Sequence, residues 1–527
     1  MSTKQLPIGL SSLQKMVDQH CVYIDKTRFV TLLAESGSYY FLSRPRRFGK
    51  SLFVDTLNQA FDGQRELFTG LYLEKHWDWS VRHPVIRFGF SASSAHNSKK
   101  ALLEIISQKI RHCMSLYDVQ VNLDQEPGSV LTDLVIALYD KYQVGVVVLV
   151  DEYDKPILDV LQDKPLATAN REILKGLYSG LKELDSYLKL VFLTGVSKFS
   201  KVNLFSGLNN LYDLSLDARY ADLCGYTQAE LEHSFHDRLE GVDKKQLKAW
   251  YNGYNFAGAD KQKVYNPFDI LLFFQNNKRY KNYWFETATP SFLIHLLQKH
   301  RYYLPSLEKV IVPENDLATF DIDEIPFVTL AFQTGYLTIK RVFEDLAGET
   351  FELTYPNKEV KTSFNSHIAA IGSSNEVRND NIRSMYAAIE AQNIQALKAI
   401  IHAFFASIPN DWYRKNHINE YEGFYCSIVY SYFCAAGYQV IGEDITNKGK
   451  IDLTIKAPNC ILIFEFKLAN TAETAQDALM QIKTKSYAEK YKADNKPIYM
   501  IGMAFEPEQR NLLGFEWACY SGDGHEI

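Results

Sequence analysis

The chain has 527 residues, 46% of them hydrophobic and 23% charged, and this length suggests about three or four domains. The formal net charge of −6 argues against a surface built throughout for nucleic acid, although a local groove stays open. The N-terminus lacks the apolar core of a secretory signal, and apolar runs such as Val146 to Val150 are too short to cross a bilayer. The seven cysteines form no CxxC pair. We therefore expect a cytoplasmic protein with no membrane partner.

Short strands and helices alternate in the first part of the chain. Strands are expected at 38–43, 83–91, 146–150 and 188–197, and helices at 51–61, 97–117 and 164–186. The run Val146 to Val150 is continuously apolar, as in a strand buried on both faces. This alternation predicts an α/β domain whose parallel sheet carries helices on both faces.

A second α/β segment ends the chain. It is separated from the first by a region rich in helices and turns, from about 216 to 410. Its predicted elements are a helix at 421–436, strands at 437–444, 451–456 and 460–467, a helix at 471–491 and a strand at 496–505. The periods of the apolar residues support these assignments.

The loop after the first strand, RPRRFGKS (44–51), ends in a P-loop motif. Gly49 lets the backbone approach a phosphate, Lys50 would contact the β- and γ-phosphates, and the Ser51 hydroxyl would bind Mg²⁺. The standard pattern has a further glycine where this chain has Arg44, so the GKS motif alone is weak evidence. Three arginines of the loop either contact phosphate or a neighbouring subunit, or are simply solvated: Arg44, Arg46 and Arg47.

Two acidic residues, Asp151 and Glu152, follow the buried strand. In P-loop ATPases such a strand brings an Asp to the Mg²⁺ shell, and the next Glu polarises the attacking water. The alternative is a solvated acidic turn. A further strand end, at Thr194, either senses the γ-phosphate or is a plain turn. ATP and Mg²⁺ are the predicted ligands, with ATP contacts from Arg47, Phe48, Gly49, Lys50, Ser51, Leu52 and Thr194.

The C-terminal segment contains a second group of charged residues. Asp452 opens one strand, and Glu465 and Lys467 lie on one face of the next, which a short connection makes its neighbour. Two acids that hold Mg²⁺ and a lysine that orients the nucleophile suit phosphodiester cleavage. Glu422, on the preceding helix, could add a metal ligand, and Gln481 lies on the following helix.

The same spacing also suits two strands joined by salt bridges. Residues 441–527 contain ten Lys and Arg against thirteen Asp and Glu, which is not a broad basic surface. The sequence therefore leaves cleavage and a purely structural role open at this site.

Several stretches resemble the AAA-ATPase-like family of bacterial proteins. They are YIDKT (23–27), RPRRFGKS (44–51), LVDEYDKP (149–156), YNGYNF (251–256), VYNPFDIL (264–271), YWFETATP (283–290), FQTGYLTIK (332–340) and YPNKEV (355–360). The tail from about Glu422, through GKIDLTI, IFEFK and ALMQIKTKSYAEKY, resembles the PD-(D/E)XK nuclease superfamily domain that commonly ends these chains. Together the matches cover almost the whole chain.

The resemblance implies a role for particular residues. Gly49, Lys50 and Ser51 match the family's phosphate loop, in which an arginine-rich start replaces the first glycine. Asp151 and Glu152 match its Mg²⁺ and water-activating acids. The tail matches the nuclease-fold positions at Glu422, Asp452, Glu465, Lys467 and Gln481. One departure is Thr287-Ala288-Thr289-Pro290, where relatives more often read SGTP.

We expect four regions: a P-loop ATPase domain (1–215), a helical or winged-helix lid (216–300), a connecting region (301–410) and a nuclease-like domain (411–527). The leading hypothesis is that ATP controls Mg²⁺-dependent cleavage of DNA or RNA. Its rivals are a signalling or assembly ATPase whose nuclease fold only binds, and an interaction protein that binds no nucleotide. The expected partner is a nucleic acid, and a homo-oligomer is left open.

Overall fold

The computed structural model describes most of the chain in two compact units. The described residues are 4–91, 97–199, 204–205, 208, 210–258, 263–285, 293, 296–297, 303–318, 320, 325–345, 348–369, 375–407, 422–469, 474–508 and 510–520. The first unit comprises Met1–Trp284 and Ile311–Glu352, and the second comprises Phe285–Val310 and Leu353–Ile527. The four predicted regions stay a prediction, and these units cut across the one expected at 301–410. No helix within the described ranges is long and apolar enough to span a membrane.

The first unit contains the predicted parallel sheet. Its strands are β1 (Tyr39–Ser43), β2 (Val85–Gly89), β3 (Val146–Asp151), β4 (Leu188–Gly195) and β5 (Tyr212–Asp213). They lie in the order β2-β3-β4-β1-β5, and every pairing is parallel. The expected α/β fold is confirmed.

Helices alternate with these strands along the chain. They are α1 (Leu13–Asp18), α2 (Arg28–Ser36), α3 (Lys50–Phe61), α4 (Lys99–Tyr117), α5 (Pro127–Tyr142), α6 (Lys155–Leu158) and α7 (Lys164–Ser179). Helices α3 and α5 pack on β3, which explains why every residue of β3 is buried. Helix α7 ends before the predicted residue 186 because Gly180, a poor helix former, follows it.

The strand order brings the predicted nucleotide-binding residues to one edge of the sheet. Because β4 lies between β1 and β3, the carboxyl ends of these three strands are adjacent. Leu42 of β1 is level with Thr194 of β4, and Thr194 is level with Asp151 of β3. Ligands of open parallel sheets bind at this edge.

The remaining α-helices and strands before residue 355 lie in the first unit, except for Val310, Leu353 and Thr354, which belong to the second. These elements are α8 (Gln228–Ser234), α9 (Lys244–Tyr251), α10 (Pro267–Gln275), β6 (Val310–Pro313), α11 (Glu314–Ala318), α12 (Phe327–Gln333), β7 (Thr338–Asp345) and β8 (Gly348–Thr354). Helices α8 to α10 share an apolar core that includes Leu231, Leu247 and Ile270. The region 216–300 thus contains packed helices in its described part, and its role as a lid stays a prediction. The turn Thr287 to Pro290 lies outside the described residues.

The second unit contains a mixed sheet. Its strands are β9 (Gln439–Thr446), β10 (Gly449–Lys456), β11 (Ile461–Leu468), β12 (Ile498–Glu506) and β13 (Asn511–Tyr520). They lie in the order β13-β12-β11-β10-β9, with β11 and β12 parallel and the other pairs antiparallel. The three strands predicted at 437–467 and the strand at 496–505 are confirmed, and β13 adds an edge that was not predicted.

Helices of the second unit are α13 (Lys358–Ala369), α14 (Asn375–Glu390), α15 (Ile394–Ser407), α16 (Glu422–Ala435) and α17 (Ala475–Thr484). Helix α16 packs on β9, β10 and β11, whereas α17 packs on β11, β12 and β13. The single helix expected at 471–491 is wrong in its described part, because Ser486 has the left-handed φ of 51° and ends the helical path. A 3₁₀ segment, Tyr487–Asp494, follows.

Candidate functional site

The phosphate-loop motif joins β1 to α3. Gly49 caps the helix with a φ of 94°, a conformation that glycine adopts at low cost. The ammonium group of Lys50 is buried and donates to the carbonyl oxygens of Arg44 at 2.8 Å and Pro45 at 2.9 Å. Burial lowers the pKa of Lys50, and the charge of Asp151 raises it. The loop thus holds a lysine beside an acid at a helix N-terminus, an arrangement suited to binding phosphate.

Arg44 is a structural residue of this loop. Its side chain is 1% exposed and donates to the carbonyl oxygens of Ser43 at 2.9 Å, Ser215 at 2.8 Å and Tyr220 at 3.0 Å. The guanidinium also lies 4.2 Å from the ring centre of Phe256. Burial lowers the pKa of Arg44 to about 10. The expectation of a solvated or phosphate-contacting Arg44 is wrong, because the guanidinium satisfies backbone carbonyls inside the fold.

Two neighbours of Arg44 in the loop remain at the surface. Arg46 and Arg47 are exposed, and the guanidinium of Arg47 lies 4.7 Å from the ring centre of Phe268. Phe48 is buried, and its ring contacts the ring of Tyr254 at a centroid distance of 4.7 Å. Only the backbone of Phe48 is therefore placed to meet a phosphate, whereas the side chains of Ser51 and Leu52 are partly exposed.

Two acids lie at the end of β3: Asp151 is its last residue, and Glu152 follows it. Asp151 Oδ1 and Glu152 Oε2 are buried and have no hydrogen-bond partner among the described residues. Burial raises the pKa of Glu152, as does the charge of Asp151, while Lys50 lowers it. Such oxygens are the ligands that Mg²⁺ prefers, and leaving them unpaired is costly. The acid pair, together with the Ser51 hydroxyl, fits a nucleotide-bound Mg²⁺.

Thr194 and Asp154 shape the adjoining turn. The Thr194 hydroxyl donates to the carbonyl oxygen of Leu42 at 2.8 Å, so it ties β4 to β1. The buried Asp154 Oδ2 accepts from the backbone of Val196 at 2.9 Å and from the backbone and hydroxyl of Ser197, both at 2.7 Å. The sequence analysis did not single out Asp154, although it belongs to the acid-rich run DEYD (151–154). A sensing role for Thr194 stays a prediction.

Asp452 and Glu465 face each other across β10 and β11. The strand register pairs Leu453 with Phe464, which sets the two acids side by side. Asp452 Oδ2 accepts from the backbone of Phe466 at 2.8 Å, and Gln481 donates to Glu465 Oε1. Glu465 is 3% exposed, and its Oε2 has no hydrogen-bond partner among the described residues.

The electrostatics of this pair favour a cation. Burial raises the pKa of Asp452, and burial followed by the charge of Asp452 raises that of Glu465, while Lys467 lowers both. Two adjacent carboxylates that are withdrawn from solvent repel each other when ionised. A divalent cation would remove that repulsion and supply the partner that Glu465 Oε2 does not find in the described part of the chain. The donor set of this pair therefore fits Mg²⁺.

A third acid, Glu443, lies near the pair of Asp452 and Glu465 and was not predicted from the sequence. The register of β9 and β10 sets it opposite Asp452, and its charge raises the pKa of Asp452. It pairs with Lys450 at 3.1 Å. Glu422, in the first turn of α16, is near enough to raise the pKa of Glu465. Within the described ranges, however, no three His, Cys, Asp or Glu side chains converge as a metal site, so Glu422 as a ligand stays a prediction.

The fold and these sites define a P-loop ATPase-like unit and a nuclease-like unit in one chain. Residues 7–205 match the family model described as a predicted AAA-ATPase, and residues 420–514 match that of the PD-(D/E)XK nuclease superfamily. A curated relative from Azotobacter chroococcum mcd 1, called "Uncharacterized protein in vnfD 5'region", is 42% identical over 521 residues, covering 98% of this chain and 99% of the relative. The chain belongs to the AAA-ATPase-like family and carries a C-terminal PD-(D/E)XK nuclease superfamily domain.

One solved structure also matches, that of the Aeropyrum pernix ORC1 protein in complex with DNA. It is 12% identical and covers 64% of this chain and 90% of that chain, with a TM-score of 0.26. A TM-score this low does not indicate a shared fold or function.

Proposed function

We propose that this protein is an ATP-hydrolysing switch that controls Mg²⁺-dependent cleavage of nucleic acid by its C-terminal domain. The observation that carries the proposal is the pair of the half-buried Asp452 and the buried Glu465 beside Lys467, in which Glu465 Oε2 has no hydrogen-bond partner among the described residues. One oxygen each of Asp151 and Glu152 likewise has no hydrogen-bond partner within the described ranges. Both units thus hold buried carboxylate oxygens that have no hydrogen-bond partner among the described residues, which supports a metal-dependent step in each.

In the first unit, Lys50 and the backbone N–H groups of the loop bind the phosphates. Asp151 and Ser51 hold Mg²⁺, and Glu152 accepts a proton from the attacking water. Its pKa is raised by burial, which makes it a better base than an ordinary glutamate. Lys50, now bonded to its own loop, exchanges these carbonyl oxygens for phosphate oxygens.

In the second unit, Asp452 and Glu465 hold Mg²⁺, and Glu422 adds a ligand. Bound Mg²⁺ supplies activation of water and stabilises the charge that develops on the phosphodiester. Gln481 orients Glu465 through its hydrogen bond to Oε1. Lys467 lowers the pKa of both carboxylates, which opposes the effect of burial, and it orients the attacking water. The substrate is DNA or RNA.

The test is a cleavage assay with Mg²⁺ on single- and double-stranded DNA and RNA. Wild-type protein should give products, Glu465→Gln should give none, and Glu516→Gln should behave as wild type. Glu516 is a matched control because it is exposed on β13 of the same sheet. Equal products from the wild type and Glu465→Gln would assign the cleavage to a contaminant and contradict the proposal.

A second candidate function is a nuclease fold that binds nucleic acid or a protein without cutting. The excess of acids over bases in residues 441–527, thirteen against ten, favours it because a broad basic surface is missing from that composition. It predicts Mg²⁺-independent binding with intact substrate recovered after long incubation. Products that require Glu465 would exclude it.

A further inference from the structure

A short segment far upstream of the matched nuclease region belongs to the nuclease-like unit. The segment Tyr303–Lys309, here called the strap, lies outside both regions that match family models, 7–205 and 420–514. It is nevertheless part of the second unit, and its 3₁₀ turn packs on α16 and β9. The chain enters the first unit directly after it, between Val310 and Ile311.

The far end of the strap is anchored by a charged network. Glu308 accepts from the Tyr430 hydroxyl at 2.6 Å and forms an ion pair with Lys361. The Lys361 ammonium also donates to the carbonyl oxygen of Val440 at 3.1 Å. Charge-assisted hydrogen bonds are stronger than neutral ones, so the strap is held in one position against α16.

A close backbone contact fixes the middle of the strap. Pro305 packs against Gly442 of β9 so tightly that a Cβ atom at Gly442 would overlap it. The backbone N–H of Leu304 donates to the Ser427 hydroxyl of α16 at 3.0 Å. These contacts position the preceding residue, Tyr303, over the first turns of α16.

Tyr303 reaches the acidic site through Cys426. Its hydroxyl lies 3.4 Å from Cys426 Sγ, and Cys426 follows Glu422 by one turn of α16, on the same face. Burial raises the pKa of the Cys426 thiol, and so do the charges of Asp452, Glu422 and Glu465. Helix α16, which carries both Cys426 and Glu422, also packs on β10 and β11, the strands of Asp452 and Glu465.

We propose that Tyr303 is a positioning residue of the nuclease-like site, supplied by the strap. Its contact with Cys426, together with the bond from Leu304 to Ser427, fixes the first two turns of α16. That helix carries Glu422, so its position sets how closely Glu422 approaches Asp452 and Glu465. Residues that orient metal ligands in this way typically change metal affinity by roughly 10–100-fold when removed. The inference rests on the proposed metal site and extends it beyond the matched region.

The test measures Mn²⁺ binding to the full chain without nucleotide, by electron paramagnetic resonance. The Mn²⁺ bound by Glu465→Ala is subtracted from the Mn²⁺ bound by the wild type. The difference is the binding at the proposed site, without the Mn²⁺ bound elsewhere on the chain. Tyr303→Phe keeps the ring and should weaken that binding about tenfold. Tyr386→Phe should leave it unchanged, because Tyr386 is an exposed tyrosine of the same unit. Glu308→Gln, which loosens the strap without altering Tyr303, should weaken binding in the same direction.

The outcomes separate this inference from the proposed function. Glu465-dependent Mn²⁺ binding that is unchanged in Tyr303→Phe overturns the role of Tyr303. Binding that falls in Tyr303→Phe supports it, even if no substrate is ever cut and the proposed nuclease activity fails. Absence of any Glu465-dependent binding overturns both. Thermal unfolding of each variant, compared with Tyr386→Phe, confirms that a change in affinity is not a loss of fold.

Discussion

Replacing Arg44 by glycine would restore the standard P-loop spacing but should damage the nucleotide site. In a standard loop a glycine occupies this position, so pattern matching predicts that Arg44→Gly is neutral or beneficial. The structure predicts the opposite. Arg44 satisfies the carbonyl oxygens of Ser43, Ser215 and Tyr220 and stacks on Phe256, and glycine can do neither.

The expected loss of stability follows from these contacts. A hydrogen bond to a charged group contributes about 1.5 kcal/mol at the low end, and Arg44 donates three. Stacking on an aromatic ring adds about 1 kcal/mol, and glycine costs a further ~0.5 kcal/mol or more in backbone entropy. The cost of burying the guanidinium, seen in its lowered pKa, offsets part of this. We expect Arg44→Gly to destabilise the first unit by about 4 kcal/mol.

Urea unfolding, followed by tryptophan fluorescence, measures the stability, and titration calorimetry with Mg²⁺-ATP measures binding. Arg44→Gly should weaken ATP binding at least tenfold, because Lys50 bonds to the carbonyl oxygens of Arg44 and Pro45 and a loosened loop misplaces it. Arg46→Gly is the matched control, since it makes the same change at an exposed residue of the same loop. Equal or tighter ATP binding by Arg44→Gly, with unchanged stability, would refute this reasoning.

Two further predictions concern Gly335 and Glu465. Gly335→Ala should destabilise the first unit by about 1–3 kcal/mol, because its Cβ would lie 2.7 Å from Pro45 Cβ at a φ of 90°. In urea unfolding, Gly348→Ala is the comparison, since it also has a positive φ, 120°, but its Cβ meets no described atom within 4 Å. The clash with Pro45 should make the loss of stability larger at Gly335. The raised pKa of Glu465 means that its contribution to stability is complete below the ordinary value of 4.5 and is lost as pH rises towards the folded-state value. Thermal unfolding in EDTA should therefore show wild type losing stability with rising pH more steeply than Glu465→Gln, and Mg²⁺ should restore only the wild type. Equal pH slopes would contradict the assignment.

The sequence predicted most of what depends on local pattern. The buried run of β3 and the acids at its end were readable because a strand covered on both faces is continuously apolar. Helix α5 was not predicted, although its sequence has a local signal of a different kind. Its apolar residues recur at helical spacing: Val130, Leu131, Leu134 and Leu138. Strand β13 was harder to find. A register shift at Ala504 interrupts its pairing with β12, so its buried residues do not alternate regularly.

Features that depend on distant contacts could not be predicted. Arg44 and Arg46 are indistinguishable in the loop sequence, and only the approach of Ser215, Tyr220 and Phe256 makes one of them buried. Glu443 lies near Asp452 only because of the register between β9 and β10. A slip of one residue would move its side chain to the other face of the sheet. The strap meets α16 across more than a hundred residues of chain, and no local pattern encodes such a contact.

Control of the nuclease-like domain by the ATPase-like domain is the central claim, and one measurement tests it directly. The cleavage rate of the full chain with Mg²⁺ is measured with and without ATP, for the wild type and for Lys50→Ala. The matched control is Lys15→Ala, because Lys15 is an exposed lysine of the same unit. We predict that ATP changes the rate in the wild type and in Lys15→Ala by at least tenfold, and that Lys50→Ala cleaves at one rate under both conditions. A rate that is independent of ATP in the wild type, or an equal response in Lys50→Ala, would contradict the account.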